Sequence, residues 1–141
     1  PARAAGIRVV NLRIPGVLGG ASLKRIIGRI GSGRQWASWV ARDELAYIVE
    51  YLLVTDTLAG PVNPTSPNPV RNAEMAAVLS RGLGRRPGLP LPAFLLRLML
   101  GEMAEALILA SRRIMPGKLL DAGYQFRFPE LGEALRHELA A

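Results

Sequence analysis

The run Ile7-Arg-Val-Val-Asn-Leu-Arg-Ile14 is rich in β-branched residues and is stopped by Pro15-Gly16, which reads as a strand and its turn. The next extended signal, residues 61–65 within Gly60-Pro-Val-Asn-Pro-Thr-Ser66, comes only after an amphipathic helix at 43–54. A strand, a long crossover through a helix and a second strand are joined as parallel neighbours with a right-handed connection. Parallel strands need cover on both faces, and two of them alone make no independent sheet. The pattern therefore predicts an α/β fold in which this pair belongs to a larger sheet, with partner strands upstream. The opening residues point the same way. Pro1 to Ala5 read as a helix stub closed by Gly6, too short to nucleate alone, so the chain is expected to be a fragment.

Between the two strands, Ala21 to Ile30 predicts a helix with Leu23, Ile26, Ile27 and Ile30 apolar. Gly31 to Trp36 reads as a loop and Ala37-Ser-Trp-Val40 as a short extended piece. In the helix 43–54, Leu45, Ile48, Val49, Leu52 and Leu53 share one face, Asp43 is placed to cap it, and Glu44 favours its positive end. Beyond the turn Pro67–Arg71, Asn72 is placed to cap a helix to about Leu83 that Gly84 stops. Arg85 to Leu91 is a Pro/Gly linker. Helical patterns follow at 92–100 and from Glu102 to about Arg113, with Met99 and Met103 as core packing, and one more turn at Lys118–Ala122 ends at Gly123. Tyr124-Gln-Phe-Arg-Phe128 alternates as a half-buried strand does, and Pro129 opens a last helix whose inner face is Leu131, Ala134 and Leu135. Residues 1–71 and 72–141 are expected as two units, the second mainly helical.

Composition removes whole classes of chemistry. Cysteine is absent, so no disulfide framework or thiolate metal site exists, and the lone histidine, His137, argues against a His-based metal centre or a Ser-His-Asp triad. His137 is expected on the surface of the last helix. The net charge of +7 rests almost wholly on arginine, but the arginines are scattered from Arg3 to Arg136 with only two doublets. That spacing argues against nucleic-acid binding. Leu89 to Ala110 is the most apolar stretch, yet Pro90, Pro92, Arg97, Glu102 and Glu105 interrupt it, so no membrane partner is expected. No secretory signal is evident at the start, and a cytoplasmic location is expected.

Five segments, in order, resemble the extended short-chain dehydrogenase/reductase family, in its branch of nucleoside-diphosphate-sugar epimerase or cell-division-inhibitor-like proteins. They are Val10-Asn-Leu-Arg-Ile-Pro-Gly-Val-Leu-Gly19, Gly31-Ser-Gly-Arg-Gln-Trp-Ala-Ser-Trp-Val40 and Gly60-Pro-Val-Asn-Pro-Thr-Ser-Pro-Asn-Pro-Val-Arg-Asn72, then Leu100-Gly-Glu-Met-Ala-Glu105 and Leu119-Leu-Asp-Ala-Gly-Tyr-Gln-Phe-Arg-Phe-Pro129. The resemblance implies the C-terminal half of such a protein: the last two parallel strands of a Rossmann-type sheet plus a mainly helical, substrate-side domain. It implies NAD(P) as the cofactor of the complete protein. The Gly-rich dinucleotide fingerprint and the Tyr-x-x-x-Lys pair of that family are not in this chain, so it is expected neither to run hydride chemistry nor to hold NAD(P) tightly by itself.

Carried over by position, the resemblance puts Pro15, Gly16, Val17 and Leu18 in a loop over the nicotinamide end of the cofactor. Pro15-Gly16 stands where the branch more usually has a single glycine. The segment Gly31–Trp39 is implied to lie along the substrate, a nucleotide-sugar-like small molecule. There Gly33 allows close backbone approach, Arg34 offers a fork to phosphate or carboxylate, Gln35 and Ser38 add polar groups, and Trp36 and Trp39 offer stacking faces. Arg112, with Arg113 and Lys118 around a Pro-Gly turn, is placed to add positive charge to the same cleft. The alternative from another class is a stand-alone protein-interaction module. A bared sheet edge beside an apolar face is expected to make the fragment a homodimer.

Overall fold

The computed structural model describes residues 5–20, 28–84, 92, 94–95, 98, 101 and 111–140. Residues 21–27 of the helix expected over Ala21–Ile30, the linker 85–91, most of the helical pattern at 92–100, residues 102–110 of the one expected from Glu102 to about Arg113, and Met99 and Met103 lie outside the described residues. Residues 28–30 are not helical, so the first predicted helix does not reach Ile30.

Strand β1 (Val10–Leu12) pairs in parallel with β5 (Gly60–Val62), Val10 opposite Gly60 and Leu12 opposite Val62. Bonds from the Gly60 N–H to the Val9 carbonyl and from the Arg13 N–H to the Val62 carbonyl extend this ladder by one position at each end. The strand is shorter than the run 7–14 that predicted it; past Val62 the partner chain reaches Pro64, which has no N–H to continue the ladder. A second parallel pair joins β2 (Gly16–Leu18) to β4 (Trp39–Ala41). Residues 16–18 are therefore a strand and not the expected loop. The short β3 (Trp36–Ala37) runs antiparallel to β6 (Val70–Arg71), with Trp36 facing Arg71.

Helix α1 spans Arg42–Val54 and α2 spans Asn72–Gly82; α3 is Gly117–Asp121 and α4 is Leu131–Ala140. Neither long helix is capped as predicted. Ala41 and Arg71 occupy the N-cap positions, and neither side chain caps. The Asp43 N–H is answered instead from α4, by Glu138 Oε1 at 3.4 Å. At α2 the loop does the work. The Gln35 and Gly33 carbonyls accept from the N–H groups of Asn72 and Ala73, while Asn72 Oδ1 accepts from the Ile30 N–H at 2.8 Å. Arg8 closes the other end of α1, donating to the carbonyls of Leu53 and Leu58, where a helix dipole favours a cation. Gly84 (φ +61°) and Gly123 (φ +76°) end α2 and α3 in the left-handed conformation that a residue with Cβ rarely adopts.

Two hydrophobic clusters meet across the β2–β4 pair. Leu18, Trp39 and Ala41 face one, with Val70, Met75, Leu79, Leu131, Ala134 and Leu135. Val40, with Val17 packed against it, faces the other, with Ile48, Leu52, Leu58, Val62, Leu119 and Tyr124. Successive residues along a strand point to opposite faces, so a strand buried on both faces supplies two cores at once. Each cluster draws residues from both sides of residue 71. The last helix buries Leu131, Ala134 and Leu135, the face its spacing predicted. Residues 124–128 alternate in burial but pair with no strand, because the Glu44 carboxylate takes the N–H groups of Arg127 and Phe128 at 2.8 and 2.7 Å. Residues 111–116 are likewise not helical. Among the described residues, no helix is long and apolar enough to cross a membrane.

Candidate functional site

The described face richest in ligand-type chemistry is the edge of β3, because a strap of chain is bonded to it. The Trp36 N–H donates to Ser111 Oγ at 3.1 Å. Ser38 Oγ donates to the Arg112 carbonyl and accepts from the Ile114 N–H, both at 2.9 Å. Residues 111–114 are thereby fixed alongside β3 and β4. Above them Trp36 is half-buried, with the Arg71 guanidinium 3.9 Å and the Arg113 guanidinium 4.8 Å from its ring centre. Arg71 Nη1 also donates to the Arg34 carbonyl. Arg34, Arg71, Arg112 and Arg113 are all exposed, and among the described residues none of them is ion-paired with a carboxylate. The arrangement suits a small anion with an aromatic or sugar ring beside it.

The other expected site residues serve the fold. Trp39 is wholly buried and its Nε1–H donates to the Asn68 carbonyl at 3.0 Å, so its ring faces belong to the core. Gly33 is a turn glycine at φ +69°, where a Cβ would fall 2.6 Å from the Arg29 side chain and 2.9 Å from Ala73 Cβ. Gln35 donates to the Ile30 carbonyl, and Ser38 holds the strap. Lys118 donates to the Ala59 carbonyl at 2.6 Å, beside β5 instead of beside Trp36. Along β2, Leu18 is 2% exposed and Val17 packs against the second cluster; Pro15 is half-buried, and Gly16 is exposed with its N–H donated to the Ser38 carbonyl at 3.3 Å. A Cβ at Gly16 would meet only the Ser38 carbonyl, at an ordinary 3.5 Å.

Arg71 escaped the sequence reading because it sits in a Pro-rich turn, and only the β3–β6 register sets it opposite Trp36. Two acidic clusters escaped it as well. Glu44, 1% exposed, accepts from the Tyr124 hydroxyl at 2.5 Å as well as from the two backbone N–H groups. Burial, then the neighbouring carboxylate, pushes the Tyr124 phenol above its usual value. His137 is no free surface residue: its Nε2 lies 2.9 Å from Asp43 and its ring stacks on Phe128 at 4.3 Å. The hydrogen bonds from His137 and then Arg42 hold the Asp43 carboxyl below its ordinary 3.8, more than burial raises it.

A domain of unknown function, DUF1731, matches residues 91–138. An epimerase family protein of Mycobacterium bovis is 37% identical over 145 residues, covering 96% of this chain and 48% of that protein. Epimerase family protein YfhF of Bacillus subtilis is 36% identical, again across 48% of its own length. The crystal structure of the human epimerase family protein SDR39U1 with NADPH superposes with a TM-score of 0.87 at 32% identity, over 95% of this chain and 49% of that one. The nucleoside-diphosphate sugar epimerase of Corynebacterium glutamicum gives 0.76 at 33% identity, over 99% and 28%. The chain spans about half the length of the curated relatives it matches.

Proposed function

From the premise that this chain is a homologue of the epimerase family proteins, spanning about half their length, we propose that it is the substrate-side part of an NAD(P)-binding protein of the extended short-chain dehydrogenase/reductase kind. Its task there is to recognise a nucleotide-sugar-like ligand and to flank the nicotinamide end of the cofactor. One observation carries the reading: two exposed arginines, Arg71 and Arg113, neither of them ion-paired among the described residues, lie against a half-buried tryptophan on a strap-braced edge, next but one in sequence to the β4 strand that pairs β2.

The residues present fit one end of the cofactor and not the other. Exposed Gly16 and the backbone of Pro15 leave room for a flat ring, while Val17 and Leu18 hold the strand through the two cores. The pyrophosphate of a dinucleotide needs a Gly-rich turn opening a helix, and no Gly-x-Gly-x-x-Gly follows a strand in this chain. When bound, the cofactor supplies hydride transfer. This chain supplies position and charge: its arginines orient an anionic substrate, and its buried strands keep water from the side beneath.

Calorimetric titration of the complete protein tests the reading. NADPH binding that a nucleotide sugar then strengthens is the expected result. A complete protein that binds neither would remove the proposal.

A further inference from the structure

At Ser38 the chain passes from one strand pair to another, since β3 ends at Ala37 and β4 begins at Trp39. Its backbone and its side chain serve different neighbours. The Ser38 carbonyl accepts from the Gly16 N–H at 3.3 Å. Pro15 has no N–H, so this is the first donor that β2 offers, and it fastens the Pro15–Gly16 segment to the Ser38 peptide. The Ser38 hydroxyl donates to the Arg112 carbonyl and accepts from the Ile114 N–H, both at 2.9 Å. Its donor and one of its lone pairs are thus spent on the strap. Among the described residues, no backbone–backbone hydrogen bond joins residues 111–115 to another element. The hydrogen bonds that hold the strap all use side chains: Ser38, Ser111 on the Trp36 N–H, and Asn63 on the Met115 carbonyl at 3.3 Å. Of these three anchors, Ser38 is the one whose carbonyl holds the Gly16 N–H.

We infer that Ser38 is a positioning residue that couples the two ends of the site, its carbonyl tied to the Pro15–Gly16 segment and its hydroxyl setting the place of the strap. The inference rests on the substrate-side reading, in which the nicotinamide end of the cofactor lies beside that segment. When the segment is fixed by a bound cofactor, the Ser38 peptide is fixed with it, and so is the strap. The Gly16 bond is longer than the about 2.9 Å usual for N–H···O, which leaves it room to tighten. The strap supplies the two states, seated on the Ser38 hydroxyl and released from it. Linkage makes the effect reciprocal, so a strap held in place by substrate favours the cofactor.

Amide hydrogen exchange of the complete protein tests the coupling, without NADPH and at a saturation verified by calorimetry. NADPH should slow exchange at Ile114 by about fivefold or more. Ser38→Ala keeps the carbonyl on Gly16 but can form neither strap bond, so Ile114 should exchange fast with and without NADPH. Ser38→Thr keeps the hydroxyl and should restore the response. Ser111→Ala removes a strap bond without touching the Gly16 link; it should speed exchange at Trp36 yet keep the NADPH response at Ile114. Simple fastening would instead make the two alanine variants alike. Circular dichroism checks each fold; if Ser38→Ala unfolds, Ser38→Cys, a weak donor, takes its place. An Ile114 amide that ignores NADPH in the unmodified protein, a response kept in Ser38→Ala, or one lost equally in Ser111→Ala would overturn the coupling. A complete protein that binds no NADPH would remove the substrate-side reading and the coupling with it, whereas NADPH binding without effect on Ile114 sinks the coupling alone.

Discussion

At the scale of single residues, the deciding group is a carboxylate that the sequence offered as ordinary helix decoration. Glu44 stands in the first turn of α1, where a negative charge suits the helix dipole, and nothing in its neighbours marks it as buried. It is buried because Tyr124, Arg127 and Phe128, some 80 residues on, bring it a hydroxyl and two N–H groups. A buried charge is tolerated only when its lone pairs are answered in this way. Glu44→Ala leaves those donors unmet and should lower stability by about 3–4 kcal/mol in urea unfolding, whereas Glu44→Gln, which can still accept and donate, should lose about 1–2 kcal/mol. Equal losses would mean that the side chain acts by volume alone. The candidate site residues show the same limit on sequence reading. Residue type alone nominated Arg34, Trp36 and Arg112, whereas the placement of Arg71 opposite Trp36 needed a strand register, and Trp39, nominated as a stacking face, is wholly buried.

Elements were legible where local rules govern them. Of the face predicted for α1, Ile48 and Leu52 are buried and Leu45 packs against the second cluster, while Val49 and Leu53 are exposed; the spacing of Leu131, Ala134 and Leu135 set the inner face of α4, and the parallel pairing of β1 with β5 followed from the crossover. Caps were not legible, because both long helices take their N-terminal partners from distant chain: α1 from Glu138, α2 from the 33–35 loop. The alternation at 124–128 misled for a related reason, a side chain having replaced the partner strand. The clamp between α1 and α4 has a pH dependence of fixed sign. Because His137 and Arg42 depress the Asp43 carboxyl, its contribution is present above the ordinary value of 3.8 and is lost as pH falls through the lower, folded value. Melting temperature should therefore drop as pH falls through and below the ordinary carboxylate value of 3.8, and Asp43→Asn should flatten that part of the profile. An unchanged slope in the variant would assign the acid sensitivity to other carboxylates.

At the scale of the whole molecule, the chain carries surface that a finished sheet would cover. Ile7, Ile14, Leu53 and Val54 are more than half exposed, and Arg8, Val10, Leu12, Val49, Leu52 and Leu53 line a groove between β1 and α1. Among the described residues β1 pairs only with β5, which leaves its other edge open. The isolated chain should accordingly self-associate, a symmetric dimer being the commonest closed form, with sedimentation velocity showing a concentration-dependent shift. Leu53→Lys should reduce that shift; a chain that stays monomeric at high concentration would contradict the open-edge account. On the proposed reading, this chain is the substrate-side part of an NAD(P)-binding protein and holds no cofactor by its own residues. NADPH titration by calorimetry, run in parallel on the 141-residue chain and on the same chain joined to the remainder of a full-length relative's fold, tests it most directly. The chain should show no tight binding and the joined protein one-to-one binding. Sub-micromolar binding by the chain alone, or none by the joined protein, would contradict it.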